Sequence, residues 1–210
     1  MMLQNKKIIF YSRVLLFIAA FLGVYLEITK HGGFGMLLYY TVLSNLLVTL
    51  FTGYLLLKMR SDDDSWQSPV ILRLKGGVTM SIMITCVIYH FMLAPIATDF
   101  YRLENFLCHY IVPLWFLADT LFFDKNRQYK WFDPIVWTVL PLLYMGFAIL
   151  NGLVLKMNIP NSKDNPFPYF LNANKHGWGF VFRWAAIIFV AYMVSGYLFY
   201  LVKSIKKSKK

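Results

Sequence analysis

The chain has 210 residues, of which 59% are hydrophobic, 19% aromatic and only 15% charged. A soluble domain would have roughly a quarter of its residues charged, so this composition excludes an ordinary soluble domain and indicates a polytopic membrane protein. The formal net charge of +11 raises the alternative of nucleic-acid binding. The basic residues flank apolar runs and form no basic face, which favours membrane topology and anionic lipid as the origin of the charge.

Six apolar runs are long enough to cross a hydrocarbon layer of about 30 Å, which takes roughly 20 helical residues. Because a backbone in lipid must satisfy its own hydrogen bonds, we predict an all-α fold, with six transmembrane helices in one bundle forming a single domain over residues 1–210. The predicted spans cover about residues 8–29, 36–58, 76–97, 103–123, 134–155 and 178–202. No small-residue cleavage site follows the first run, so we interpret it as a retained helix rather than a signal peptide.

Lysine and arginine are distributed unevenly over the segments that connect these spans. One side of the membrane has 15 of them and the other has 5, with Arg183 left inside the sixth span. The positive-inside rule therefore predicts that both termini are cytoplasmic. The acidic run at residues 62–64 lies on the cytoplasmic side and has no further ligands at a regular spacing, so we interpret it as a solvated loop rather than a cation site.

Polar side chains recur inside the predicted spans at one depth, roughly 8–9 Å below the outer boundary for a rise of 1.5 Å per residue. The members of this layer, with their neighbours one turn away, are Glu27, Thr41, Asn45, His90, Asn105, His109, Asn151 and Arg183. Such groups avoid lipid. We therefore expect them to converge on a pocket that opens to the outer leaflet and is lined by aromatic and aliphatic side chains.

Each polar residue also has a structural alternative. A membrane threonine commonly bonds the carbonyl one turn back, and His90 can be a packed histidine that donates to a backbone carbonyl. Arg183 can pair with Glu27 or extend towards the headgroups. The shared depth favours function, because structural polar residues have no reason to lie in one layer.

Asp119 differs from this layer because it lies towards the cytoplasmic end of the fourth span. Arg13 lies near the cytoplasmic end of the first span. We predict a structural ion pair between Arg13 and Asp119, well separated from the pocket, since a buried charge needs a partner.

A threonine hydroxyl becomes a useful nucleophile when a base takes its proton, and neutral histidine is the usual base. Thr41 and His109 lie at one level on two helices that run in the same direction, so they can form such a pair for acyl transfer. Asn45, Asn105 or Arg183 can then stabilise an oxyanion. The competing hypothesis is a metal site built from His90 and His109. It lacks a pair of ligands on one helix, and we predict no metal and no cofactor.

Four motifs in the chain resemble those of a six-span membrane family. They are YYTVLSNLL at 39–47, NFLCHYIVP at 105–113, WTVLPLLY at 137–144 and NPFPYF at 165–170. The family includes the vertebrate androgen-induced protein and the androgen-dependent TFPI-regulating protein, and this chain is similar to its bacterial branch. The vertebrate members are threonine hydrolases that cleave fatty-acid esters of hydroxy fatty acids, with an essential threonine and histidine.

The resemblance implies that Thr41 is the nucleophile and His109 the general base. It also implies a membrane lipid or fatty-acid ester as the substrate, and the cytoplasmic (inner) membrane of a bacterium as the location. The leading hypothesis is therefore an intramembrane lipid ester hydrolase. The alternative is a non-enzymatic protein that binds or moves lipid, whose polar layer only holds a head group. A channel is disfavoured because the charged residues trace no continuous path.

Overall fold

A computed structural model describes residues 5–60, 64–97, 99–163, 165–168 and 171–205 of the chain. Within these ranges it contains six helices that are long and apolar enough to cross a membrane, and no strand. They are α1 Lys6–His31, α2 Tyr40–Met59, α3 Pro69–Ile96, α4 Leu103–Phe123, α5 Asp133–Leu155 and α6 Trp178–Ser204. The predicted all-α class with six membrane-spanning helices is confirmed, while the cytoplasmic placement of both termini stays a prediction.

Some residues used in the sequence analysis lie outside the described ranges. They are Asp62 and Asp63 of the acidic run, Tyr169 and Phe170 of the last motif, and the lysines among residues 206–210.

The chain reverses between α1 and α2 through a short 3₁₀ helix, Gly33–Leu38. The predicted second span, 36–58, included the last three residues of this 3₁₀ helix. Gly32, with φ 151°, ends α1, and Gly33 follows with φ 63°; both angles suit glycine, which has no side chain to clash. Tyr39 is extended, so α2 begins at Tyr40 rather than near residue 36. As a result Thr41 lies in the first turn of a helix instead of more than one turn inside it.

Helix α3 begins at Pro69, seven residues before the predicted start at 76. Proline suits the first turn of a helix because its missing N–H would have had no acceptor there. The predicted third span, 76–97, excludes Arg73 and Lys75, which are both charged. In the structure both belong to α3, and Lys75 is fully buried.

Three of the six helices contain a π-helical segment, at Tyr89–Leu93, Leu107–Ile111 and Asn151–Leu155. In α4 the segment is followed by Pro113, which has no N–H to donate to the His109 carbonyl one turn earlier. Segments of this kind are frequent at functional sites because they redirect side chains. Two of them bring Tyr89 and His109 to the same place, as described below.

Helices α1 to α4 form the packed core, where Leu16, Val48, Ile82 and Phe116 from the four helices are all 0% exposed. The most apolar stretches of these helices are 33–50% buried, against 22% in α5 and 17% in α6. Helices α5 and α6 therefore flank a four-helix core and leave most of their surface to the surrounding lipid.

Candidate active site

The structure brings Thr41 and His109 together. The Thr41 hydroxyl oxygen lies 3.3 Å from Nε2 of His109, although the two residues are 68 positions apart in the chain. Nδ1 of the same ring lies 3.1 Å from the backbone carbonyl oxygen of Asn105. A carbonyl can only accept, so Nδ1 carries the proton and Nε2 is left to accept the Thr41 hydroxyl proton. This is the tautomer that a general base acting on Thr41 requires.

Tyr89 stacks on one face of the His109 ring. The two ring centroids are 3.7 Å apart and the ring planes differ by 23°, and the Tyr89 side chain is itself buried. Tyr89 was not among the site residues predicted from the sequence. The available signal was an aromatic residue beside His90, at the depth of the polar layer.

The position of Thr41 in the first turn of α2 has a chemical consequence. The backbone N–H groups at the start of a helix have no acceptor within the helix, and they carry the positive end of its dipole. Tyr39, which precedes the helix, makes no side-chain cap. The nucleophile candidate therefore lies in the turn whose backbone N–H groups have no acceptor within the helix.

Two cavities meet at Thr41, since both are lined by Tyr39, Thr41, Tyr89 and Leu93. One has a volume of about 190 Å³ and runs between α2, α3, α5 and α6 among mostly apolar side chains. The other has a volume of about 390 Å³, and His109 is part of its wall. The Thr41 hydroxyl thus lies at the junction of an apolar and a polar space.

The polar cavity has charges of both signs on its wall. Glu27, Asp99, Arg102 and His31 all contribute to it. Nε2 of His31 lies 2.8 Å from a carboxylate oxygen of the buried Glu104, and Nη1 of Arg102 lies 3.2 Å from Nδ1 of His31. This network makes the space polar, with acidic and basic groups both on its wall.

Two of the three asparagines of the layer, Asn45 and Asn105, differ in whether their side-chain amides have a donor left for a ligand. Nδ2 of Asn45 donates to the Thr41 carbonyl at 2.8 Å and to the Cys108 carbonyl at 3.0 Å, so both of its protons are used. Asn45 therefore ties α2 to α4 and has no donor left for an oxyanion. Asn105 lines the polar cavity and donates to the Phe100 carbonyl at 2.8 Å.

Three other residues of the predicted layer, His90, Arg183 and Asn151, line neither cavity. His90 is exposed, with Nδ1 3.2 Å from the Tyr110 hydroxyl, because its neighbour Tyr89 takes the inward position in the π-helical segment. Arg183 is exposed on the face of α6 away from the cavities. The expectation that both converge on the pocket is thus corrected, since equal depth does not fix the rotation of a helix.

Asn151 is buried, but its side chain makes its hydrogen bonds with the connection between α5 and α6. Its Nδ2 donates to the Met157 and Pro166 carbonyls at 3.1 and 2.9 Å, and its Oδ1 accepts from the Met157 N–H at 3.0 Å. Asn151 therefore shapes this connection and lines neither cavity.

The α5–α6 connection lies over the end of the bundle where the cavities are. The Tyr39 hydroxyl donates to the Pro160 carbonyl at 2.5 Å, and Nδ2 of Asn161 donates to the His31 carbonyl at 2.6 Å. Burial raises the pKa of Tyr39 to about 12, so the phenol stays protonated and keeps this bond. Phe167, also in the connection, is 2% exposed. The connection thus covers the cavities at this end.

At the opposite end of the bundle, Arg13 and Asp119 are in direct contact, with Nη2 3.0 Å from Oδ2. The contact belongs to a larger buried cluster that includes Lys75 and Asp124. Nζ of Lys75 lies 2.7 Å from Asp124 and donates to Asp119 as well. All four side chains are at most 2% exposed. Lys75 and Asp124 were not predicted to belong to this cluster because both fall outside the predicted spans.

In the part of the chain that the structure describes, no three His, Cys, Asp or Glu side chains converge as ligands of a metal ion would. The His90–His109 metal hypothesis also conflicts with the geometry, since His90 bonds Tyr110 on the outside while His109 faces Thr41.

No protein-family model, curated protein or solved structure matches this chain. The resemblance to the threonine hydrolases therefore rests on the four sequence motifs.

Proposed function

We propose that the chain is an intramembrane lipid ester hydrolase in which Thr41 is the nucleophile and His109 the general base. The observation that supports this most directly is the hydrogen bond between Thr41 and Nε2 of His109, made by a ring whose other nitrogen is held by Asn105. A nucleophile, its base and a group that orients the base form the arrangement that acyl transfer requires. In line with the resemblance, we place this activity in the bacterial inner membrane.

The reaction would proceed in two halves. The Thr41 oxygen attacks the ester carbonyl carbon while its proton passes to Nε2 of His109, and the resulting oxyanion accepts from the backbone N–H groups at the start of α2. Collapse of this intermediate breaks the bond to the alcohol oxygen, which takes the proton from Nε2. Water then attacks the acyl-Thr41 ester with His109 again as the base. The fatty acid leaves, and the proton returns to Thr41.

This assignment changes the oxyanion donors that the sequence suggested. Both amide protons of Asn45 donate to backbone carbonyls, and the Arg183 side chain is exposed on the outer surface of α6. The N–H groups of the first turn of α2 replace Asn45 and Arg183, because they belong to the turn of the nucleophile and lack acceptors within the helix, while Asn105 on the wall of the polar cavity stays a candidate donor.

The two cavities also support a particular class of substrate. An ester with its carbonyl at Thr41 would extend its acyl chain into the apolar cavity and its alcohol half into the polar one. A fatty-acid ester of a hydroxy fatty acid fits this division, since its alcohol half ends in a carboxylate that Arg102 of the polar cavity can meet.

The alternative proposal is a protein that binds or moves lipid without cleaving it. The same two cavities favour it, because an apolar space joined to a polar one holds an amphiphile whether or not a bond is broken. The two proposals differ only in the reactivity of Thr41.

A fluorophosphonate probe separates them. We expect the purified wild-type protein to be labelled and Thr41→Ala and His109→Ala to be unlabelled. Thr49→Ala is the matched control, because Thr49 is a threonine of the same helix whose hydroxyl donates to the Asn45 carbonyl at 2.9 Å. It should be labelled as the wild type is. Equal labelling of all four proteins would contradict the nucleophile assignment.

A further inference from the structure

We propose that the acyl chain of the substrate enters from the middle of the bilayer, through a lateral opening between α5 and α6, and occupies the apolar cavity. This inference rests on the proposed function for the position of the ester at Thr41. It adds the route of entry and the residues that set the accepted chain length.

The apolar cavity reaches the surface of the bundle between α5 and α6. Leu142 of α5 and Phe189 of α6 both line it, and each is 42% exposed. The inner end of the same cavity is Thr41, so a chain lying in it has one end at the nucleophile and the other end among lipids. The walls between these ends are mostly apolar, including Ile84, Ile88 and Met145.

The depth of this opening decides what can pass through it. Leu142 lies nine residues after the start of α5 and Phe189 eleven after the start of α6. At a rise of 1.5 Å per residue these positions are roughly 14 and 17 Å along helices that cross about 30 Å of hydrocarbon. Only acyl chains are present at that depth, so the occupant is an acyl chain of a membrane lipid.

The structure also disfavours entry of the chain from the end of the bundle. There, the α5–α6 connection is fastened across the cavities by the Tyr39–Pro160 and Asn161–His31 hydrogen bonds. Helices α5 and α6, in contrast, are the two least buried of the six. They therefore present the most surface to the lipid, while Thr41 and His109 belong to the four-helix core.

Ala185 is the smallest side chain that α6 contributes to the cavity, and we infer that it keeps the path open for a long chain. A phenylalanine here would fill space that the chain needs. The next residue, Ala186, is exposed and does not line the cavity, so the same substitution there adds equal volume outside the path. The two alanines give a matched pair of variants.

The first test compares ester selectivity in these variants. The ratio of kcat/KM for a palmitoyl ester to that for a butyryl ester should fall about 10-fold or more in Ala185→Phe, because the longer chain loses several methylene contacts. The ratio should be unchanged in Ala186→Phe. Ile188→Ala, which enlarges the cavity, should raise it. An equal ratio in wild type and both Ala185→Phe and Ile188→Ala would overturn the inference.

The second test measures binding without catalysis. In Thr41→Ala, a palmitic acid analogue with a diazirine in its chain should crosslink to peptides of α5 and α6, and excess palmitate should compete. Adding Ala185→Phe should remove these crosslinks, and adding Ala186→Phe should retain them. Crosslinks confined to other helices, or not competed, would overturn the inference. Competed crosslinks in a protein whose wild type hydrolyses no ester would leave the chain site standing and refute the proposed function instead.

Discussion

The aromatic rings of Tyr89 and His109 are stacked, with their centroids 3.7 Å apart. The stack fixes the plane of the imidazole, and the bond from Nδ1 to the Asn105 carbonyl fixes its rotation within that plane. Together they direct Nε2 towards the Thr41 hydroxyl, as the proposed mechanism requires. Pre-organisation of this kind is what a base needs if proton transfer is to be efficient.

Removing this stack should therefore slow catalysis. We expect Tyr89→Leu to lower kcat for a lipid ester by about 10- to 100-fold, because a misplaced base transfers the proton poorly. Tyr89→Phe keeps the ring and should retain most of the activity. Steady-state kcat and KM of the two variants measure this. Equal losses in both would show that the hydroxyl matters rather than the stack.

The structure assigns Asn45 to packing rather than to the oxyanion. Asn45→Leu leaves the Thr41 and Cys108 carbonyls without their donor, so it should lower the free energy of unfolding by about 1–3 kcal/mol. Thermal unfolding in detergent measures the change. If the variant unfolded at the wild-type temperature while its kcat collapsed, Asn45 would be an oxyanion donor after all.

The exposed positions of His90 and Arg183 give a contrasting prediction. His90→Ala and Arg183→Ala should each keep hydrolysis within about twofold of the wild type, as substitutions on an exposed surface usually do. A rate assay beside His109→Ala tests this. A large loss in His90→Ala, at wild-type stability, would bring that residue back to the site.

We expect the buried charges to contribute to the free energy of unfolding. The cluster consists of Arg13, Lys75, Asp119 and Asp124. Asp119→Asn or Lys75→Met leaves an uncompensated buried charge, which costs about 3–5 kcal/mol of unfolding free energy. The double variant Lys75→Met/Asp124→Leu removes one charge of each sign and should be more stable than Lys75→Met alone. Denaturation in detergent compares them. An Asp119→Asn protein with normal stability but no activity would instead place this cluster in the mechanism.

Much of the fold could be predicted because the bilayer imposes simple requirements. The length of each apolar run indicated six helices, and the depth of a residue along its helix brought Thr41 and His109 to one level. Depth is a single coordinate, however. It places His109 and His90 at similar heights, and only packing shows that one faces Thr41 and the other faces outward.

The predicted bounds of α3 and α2 were wrong for local reasons. Lys75 was placed outside its span because a charge is costly in lipid, and sequence does not show that Asp119 and Asp124 compensate it. The glycines at 32 and 33 end α1, and after the 3₁₀ helix Tyr39 is extended, which puts Thr41 into the first turn of α2. The glycines could be read from the sequence. The helix start at Tyr40 could not, because the apolar run continues without interruption through Tyr39.

The most direct test of the central claim is to locate the fluorophosphonate adduct by peptide mass spectrometry. Two serine hydroxyls lie behind the wall of the apolar cavity, since Ser44 bonds Thr85 at 2.8 Å, Ser81 bonds Tyr40 at 2.7 Å, and Thr85 and Tyr40 line that cavity with Thr41. The proposed mechanism predicts the adduct on Thr41, formed in the wild type and absent from His109→Ala. An adduct on Ser44 or Ser81, or one on Thr41 that forms equally fast without His109, would contradict it.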